Sequence, residues 1–593
     1  MANIILGKVA ITWKGEFLPS VHYRKQDVVY YNGSAYICVV ESSDNSSETA
    51  FDSTEWDLFA QGTQGIATTE GDILYHDGIK LERLPIGEHN QILHVNSDGL
   101  PEWTSNPSRS SLRARAVVPF RNIGYHSHNA LVIMDDDSVR TWGYGSHYMM
   151  GQGSHSGDRA NPMLFPFPRT FPGVKENHIW QGHANNGKLI DQNDELWTWG
   201  RLDYGSTGIG TDAYVPVNVM TVEDGANPFR RSAGGLKVKF IAHTAGTEGR
   251  NTAGVIGSDD KVYMTGWNES GQLGRGNTDQ SNWFIQVPYF HTVVEGQPAV
   301  VDPDTGEETV EAVDPRKIEW LSMGRERYTH CVAVDDAFRA HVWGRNAQYE
   351  LGNNSTVDST LPFIANNGTL SGKNVKKAWA NYRTTWFLCT DDTLHVCGTD
   401  YYGNTGVNGN TGSSGVNTNS RVPALSATDV QEVAMVYYTD YQSTWILKTD
   451  GTLYATGYNG YGQLGSNGTS AQATWAPIDM GFLQPGESVL KMITGGDGSY
   501  STFGVVTDQG RVYTCGYNGQ GQLGHGDASH KSTLTPVICR DYITDACFFG
   551  NGSNVSFMVL LEDGQVLVCG AGENAQLASE DSEDYWVLNP VRF

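Results

Sequence analysis

The chain has 593 residues, enough for several domains, and its 69 glycines, 11% aromatic content and only 18% charged residues suit an all-β protein rich in tight turns. A formal net charge of −26 opposes a phosphate backbone, and the densest basic stretch is only Arg109, Arg113 and Arg115, so nucleic acid is not expected as a partner. The apolar runs fall short of the roughly 18 residues of a membrane helix, and the opening "MANIILGKVAITWKGEF" does not read as a signal peptide, so membrane insertion is not expected.

Residues 1–61 read as a small β module. "YYNGSAY" predicts a hairpin turning on Asn32-Gly33. Trp13, Tyr23, Asp27, Tyr30, Gly33, Tyr36 and Trp56 stand in an order that resembles small chitin-binding-like carbohydrate modules, with Gln26 where those carry glycine. The resemblance implies aromatic faces that stack on sugars, with Trp13, Tyr31 and Trp56 as candidates. The same rings also suffice as the core of a tiny domain, which needs large side chains to bury enough area.

Residues 62–107 hold "GDILY", "LPIG", "QILHV" and "GLPEW". Ile73, Leu74, Leu81, Leu84, Ile86, Ile92, Leu93 and Val95 are too many apolar residues for a free linker and too few for an independent core. Burial against other copies of the chain or another protein is expected. These fragments, in this order, resemble the hairpin stalks of bacteriophage tail-fibre chains. That resemblance implies that residues 1–107 dock onto other virion tail proteins, and that the chain assembles as a homotrimer. "TSNPSRSSLRARA" (104–116) reads as the linker that follows.

From residue 108 the chain repeats. "RVYTCGYNGQGQLGHG" (511–526) returns as "KVYMTGWNESGQLGRG" (261–276) and "TLYATGYNGYGQLGSN" (452–467), with five weaker copies. The anchoring glycines are Gly143, Gly200, Gly266, Gly344, Gly398, Gly457, Gly516 and Gly570, and the last copy has Ala578 where the closing glycine belongs. A period of this kind marks a propeller or an array. The motif G-x-N-x-x-G-Q-L-G resembles the regulator of chromosome condensation repeat. The resemblance implies a β-propeller over 108–593, with eight copies counted here and the family's usual seven blades as the alternative. Each unit reads as four short strands, and stacking such units in a ring hides most edges. Leu273, Leu464 and Leu523 are expected to tuck between neighbouring blades. The residue before the anchor is Trp142, Trp199, Thr265, Trp343, Cys397, Thr456, Cys515 or Cys569, which reads as a packing site. No CxxC occurs among the eight cysteines, so free thiols formed in a reducing cytoplasm are expected. Residues 293–313 read as a hairpin insertion that either contacts a partner or is a tolerated surface feature.

A glycosidase would need two carboxylates flanking a sugar bond. Asp135, Asp136 and Asp137, Asp259 and Asp260, Asp335 and Asp336, and Asp391 and Asp392 all fall between the second and third strands of a unit, where Asp, Asn and Gly serve turn geometry. His126 and His128 make only two metal ligands, and HExxH, P-loop and G-x-S-x-G motifs are missing. No catalytic residue, metal or cofactor is expected. Loop aromatics remain: Tyr148, Tyr401, Tyr402 and Tyr461 are the candidate contacts, whereas Trp267, Tyr458 and Tyr517 share one repeat position and read as blade packing. With the fibre resemblance, the expectation is a virion tail fibre, made in the host cytoplasm, whose propeller binds a host-surface glycan or protein. A structural tail or capsid-decoration protein is the alternative, and a polysaccharide-degrading tailspike the weaker one. Nucleotide exchange on a small GTPase would need family contact residues that are not matched here.

Overall fold

The structure, a computed structural model, describes eight short strands between residues 12 and 105 together with Leu100. From residue 113 onward it describes all residues except 119–128, 145–149, 154–157, 169, 182–185, 244–249, 291–299, 302–307, 310–315, 325–328, 408–413, 422–428, 437–440, 574 and 580–582. The chain divides into two compact units, Met1–Ser111 and Leu112–Phe593.

In the first unit Thr12–Glu16, Asp27–Tyr31, Ser34–Cys38 and Trp56–Gln61 form one sheet in chain order. Tyr31 pairs with Ser34, so the hairpin turns on Asn32-Gly33 as its sequence requires. Ile73–His76 pairs with Leu81–Leu84, and Gln91–Val95 with Pro101–Ser105. The backbones of these runs therefore pair within their own hairpins, and the burial of their apolar side chains lies outside the description.

The second unit is an eight-bladed β-propeller, which sets aside the seven-blade alternative. Its blades span Ala114–Leu164, Val174–Asn218, Val238–Gln286, Ile318–Ile364, Val375–Arg421, Val430–Pro477, Val489–Pro536 and Ile543–Pro590. Each is a four-stranded antiparallel meander whose second strand is almost wholly buried, as in Asn129–Met134, Thr252–Gly257 and Thr502–Thr507. At six of the eight junctions the first strands of adjacent blades touch one another, which sets these strands towards the centre of the ring. Between blades 3 and 4 a short ladder joins Val300–Val301 to Glu308–Thr309.

The repeat motif works as a clamp between blades. Every anchoring glycine has φ between 93° and 110°, outside the range that L side chains readily adopt. A Cβ on Gly516 would stand 2.5 Å from the Ser501 carbonyl oxygen. The motif's asparagine then ties the loop together. Asn518 donates from Nδ2 to the carbonyls of Asp527 (2.8 Å) and Ser529 (3.1 Å), and its Oδ1 accepts from the Leu523 amide (2.9 Å). Asn268, Asn346 and Asn459 repeat this pattern. The next glycine lies against the following blade: a Cβ on Gly271 would reach within 2.6 Å of Thr360 Cα. Leu273, Leu464 and Leu523 are fully buried in clusters that span two blades, as expected.

The residue before the anchor is more than packing. Trp142, Thr265, Trp343, Cys397, Thr456 and Cys515 each donate a hydrogen bond to a backbone carbonyl in the loop of the preceding blade. Trp, Thr and Cys differ in size but share an X–H donor. The Trp142 bond to Gln576 O (2.8 Å) joins blade 1 to blade 8. The Ala114 amide, bonded to Gly564 O at 3.0 Å, joins the same two blades. The ring closes on these contacts without an exchanged strand, because every blade is built from contiguous chain. None of the eight cysteines forms a disulfide, and burial pushes the thiols of Cys331, Cys397, Cys515 and Cys569 well up.

Candidate functional site

The loops that join first to second strands and third to fourth strands emerge on the same face, because the start of the second strand pairs with the end of the third, as Thr252 does with Gly266. At three blade junctions this face carries an aromatic cluster assembled by one rule. The first member lies four residues beyond the anchor of one blade: Tyr204, Tyr402 or Tyr461. The second follows the anchor of the next blade directly: Trp267, Tyr458 or Tyr517. The third sits two residues before that blade's second strand: Arg250, Tyr441 or Tyr500.

Between blades 2 and 3, Tyr204 meets Trp267 edge-on at 4.6 Å, and the Arg250 guanidinium lies over the same indole, 5.1 Å from its centroid. Between blades 5 and 6, Tyr402 stacks on Tyr441 at 5.2 Å, and both meet Tyr458 edge-on. Between blades 6 and 7, Tyr461 stacks on Tyr500 at 5.8 Å, both meet Tyr517 edge-on, and His530 stacks on Tyr517. Stacked and edge-on pairs at these separations are the favoured aromatic geometries. Tyr204, Tyr441 and Tyr500 remain exposed at 40%, 38% and 36%, so the clusters open to solvent rather than closing a core.

The last two clusters form one band. Burial raises the Tyr458 hydroxyl, and Tyr461, Tyr441 and Tyr500 push it further. Burial likewise raises Tyr517, with Tyr461, Tyr500 and Asp584 adding to it. Burial lowers His530. Next to the band, burial lifts Asp497 to about 6 against a hydrogen bond from Gly552. Burial also raises Asp584, and Glu573 pushes the same way.

Of the sequence candidates, Tyr402 and Tyr461 are brought to equivalent positions in this band, and Tyr401 precedes Tyr402 on the same loop. Trp267, Tyr458 and Tyr517 belong to the same clusters, where they are half-buried against rings of the preceding blade. Tyr148, His126 and His128 lie outside the described residues. Trp13, Tyr31 and Trp56 fall on three strands of the N-terminal sheet, and their side chains lie outside the description. Sequence reasoning missed Arg250, Tyr441, Tyr500 and His530. The usable signal was their fixed offset from the second strand or the anchor.

The acidic clusters behave as turns. Asp137, Asp194, Asp260 and Asp392 have φ of 60–63°, and Gly451, Gly510 and Gly564 hold the matching place in other blades. Asp194, Asp260 and Asp392 pair with Lys175, Lys239 and Lys376 on their own first strands. Buried Asp335 accepts from Arg339 (2.9 Å) and lies 3.0 Å from His341 Nε2. That device also recurs: Asp191 with Trp197, Asp259 with Tyr263, Glu487 with Tyr513. Lys188 does break the repeat. Burial lowers it to about 7, and it donates to Asn186 Oδ1 (3.1 Å) and Ser206 O (2.6 Å), fully enclosed. It is a strut for the loop of blade 2, out of a substrate's reach. Among the described residues no group of three or more His, Cys, Asp or Glu is placed to hold a metal ion.

Residues 509–540, the heart of blade 7, match the regulator of chromosome condensation (RCC1) repeat. The repeats are RCC1-like and form a β-propeller. The ultraviolet-B receptor UVR8 of Arabidopsis thaliana is 26% identical over 406 residues, 68% of this chain and 78% of its own. The regulator of chromosome condensation of Xenopus laevis is 24% identical over 423 residues, 68% and 85% of the two chains. The secretion-regulating guanine nucleotide exchange factor of Bos taurus is 36% identical over 135 residues, 23% of this chain and 27% of its own.

These likenesses correct the tail-fibre expectation. The similar proteins are RCC1-type regulators of a plant, a frog and cattle. The fibre reading, its decoration and tailspike alternatives, the virion tail partners, the host-surface ligand, the homotrimer and the virion location are all withdrawn. That reading stood on the order of short fragments in the first hundred residues.

Proposed function

We propose that the chain acts as an RCC1-like regulator, a rigid propeller that works by binding a partner protein on its loop face and makes no covalent bond of its own. The observation that carries this is the aromatic band over blades 5 to 7: exposed, uncharged rings fixed by the same loops that clamp the blades. Rigid scaffolds that present aromatic loops are suited to protein recognition. The name of the bovine relative supports a small GTPase as the partner class to test first, with accelerated release of bound nucleotide as the effect. In this reading residues 1–61 and 62–107 form a module and a hairpin segment separate from the propeller.

The test is release of labelled GDP from a panel of purified small GTPases on adding the full chain. Acceleration for at least one GTPase, abolished by Tyr402→Ala with Tyr461→Ala, is the expected result. A panel in which no GTPase responds removes the exchange activity. An effect untouched by the double substitution removes the loop face as its seat.

A further inference from the structure

The three junction clusters are built alike but differ in one member. Blade 3 places Arg250 two residues before its second strand, and the guanidinium covers the face of Trp267. Blades 6 and 7 place Tyr441 and Tyr500 at that position. The ring that follows the anchor is retained as Tyr458 and Tyr517, and the Tyr441 and Tyr500 rings meet it edge-on where the Arg250 guanidinium meets Trp267. An aromatic face attracts a cation placed over it, and a planar guanidinium stacks on it best.

The charge around the band is mostly negative. The described residues of the first-to-second and third-to-fourth strand connections of blades 6 to 8 include Asp497, Asp527, Glu573, Glu583 and Asp584 and no lysine or arginine, while on the blade 5 side Arg383 lies over the Tyr382 ring. Lys531, which follows in blade 7, is paired with Asp527 at 2.9 Å. An acidic partner would meet repulsion from blades 6 to 8, whereas a cationic one would find complementary charge there.

We propose that the tyrosine band over blades 5 to 7 receives an arginine-bearing basic segment of a partner protein, with guanidinium groups lying on the exposed rings of Tyr441 and Tyr500, which stand where Arg250 stands at Trp267. This rests on the partner-binding reading above and names the chemistry of the partner. Arginine is favoured over lysine because the rings offer flat faces, and blades 6 to 8 bring carboxylates to the same face for its outer N–H groups.

The experiment titrates the full chain with a labelled arginine-rich peptide, and with lysine and glutamate peptides of the same length, by fluorescence anisotropy. The arginine peptide is expected to bind about fivefold tighter than the lysine peptide, and the glutamate peptide not at all. Tyr441→Arg with Tyr500→Arg builds the blade 3 arrangement into the band. It should weaken the arginine peptide about tenfold or more, as should Tyr441→Ala with Tyr500→Ala, while Arg250→Ala leaves it unchanged. Both tyrosines are exposed, and blade 3 already tolerates arginine at this position, so folding is preserved. Equal affinity for arginine and lysine peptides, or indifference to both double substitutions, overturns the proposal. If a GTPase still responds through Tyr402 and Tyr461 in that case, only the cation site falls and the partner-binding reading stands.

Discussion

Replacing Asn518 by alanine tests whether the G-x-N-x-x-G-Q-L-G motif is read correctly as a clamp. Asn518 is fully buried, and its amide serves three backbone groups within one loop. Alanine removes the bonds to Asp527 O and Ser529 O and strands the Leu523 amide, which lies under a fully buried side chain. A lost hydrogen bond costs about 1 kcal/mol net, and a buried polar group left unpaired costs about 1–3 kcal/mol. The sum is about 3–5 kcal/mol. Asn518→Asp keeps the acceptor for Leu523 but turns an oxygen towards two carbonyl oxygens, so it should cost at least as much. The assay is guanidinium unfolding of the full chain followed by tryptophan fluorescence, with hydrogen exchange at the Leu523 amide as the local readout. Exchange there should accelerate by about a hundredfold or more, the factor that 3 kcal/mol implies. Asn346→Ala should behave alike, since its bonds to Ser355 O, Val357 O and the Leu351 amide are the same. An alanine variant within about 1 kcal/mol of the parent, with Leu523 exchanging as slowly as before, would refute the clamp.

Gly271→Ala should cost well over 3 kcal/mol or prevent folding, because its Cβ meets Thr360 Cα in the next blade at 2.6 Å, whereas Gly451→Ala, at φ +82° with open space around it, should cost only about 1 kcal/mol; thermal unfolding of the two variants separates collision from backbone strain. Trp142→Phe removes the donor that ties blade 1 to Gln576 O, and should cost about 2–4 kcal/mol while speeding exchange at the Ala114 amide, which bonds to Gly564 O across the same closure. Burial holds His330 down to about 3, with the Thr384 backbone opposing and Arg345 assisting, so the unfolded chain takes up a proton below about pH 6.5 that the folded chain refuses, and stability is lost as pH falls from 6.5 towards 3. His330→Ser, the residue blades 6 and 8 use there, should therefore gain about 2 kcal/mol relative to the parent between pH 7.5 and 5 in urea titrations; an unchanged difference would show that the histidine does not titrate in this way.

What could be read from the sequence was whatever one repeat unit decides alone. The anchor glycines, the aspartate turns and the buried leucines each answer to their own blade's backbone, and eight imperfect copies expose them by comparison. What could not be read lies between units. Trp142, Thr265 and Cys515 look interchangeable only as space-fillers until the carbonyl they share as a target is seen in the preceding blade. The aromatic clusters hid for the same reason. Tyr461 belongs to blade 6 and Tyr500 to blade 7, and a column drawn down the repeat never sets them side by side. The fibre reading failed differently: it took the order of short fragments as evidence of function, and the similar proteins are not virion chains.

The junction chemistry also explains why loops serve here as a binding surface. The loop that presents Tyr461 holds Asn459, whose side chain closes it internally, and offers its Gln463 carbonyl to Cys515 of the next blade. Leu464, in the same loop, is sunk in the core shared by blades 6 and 7. The loop is therefore gripped from within, from beneath and from the side. Little conformational freedom remains to be lost when a partner docks, and that cost is a large part of what limits affinity at ordinary loops. The rings stay exposed because the junction spends its buried positions on leucine, asparagine and glutamine, leaving the aromatic side chains as the layer above. Blades 2 and 3 have the same construction, but there Arg250 occupies the indole face. Among the described residues, one such junction thus carries its own guanidinium and two, side by side, carry a half-exposed tyrosine in its place.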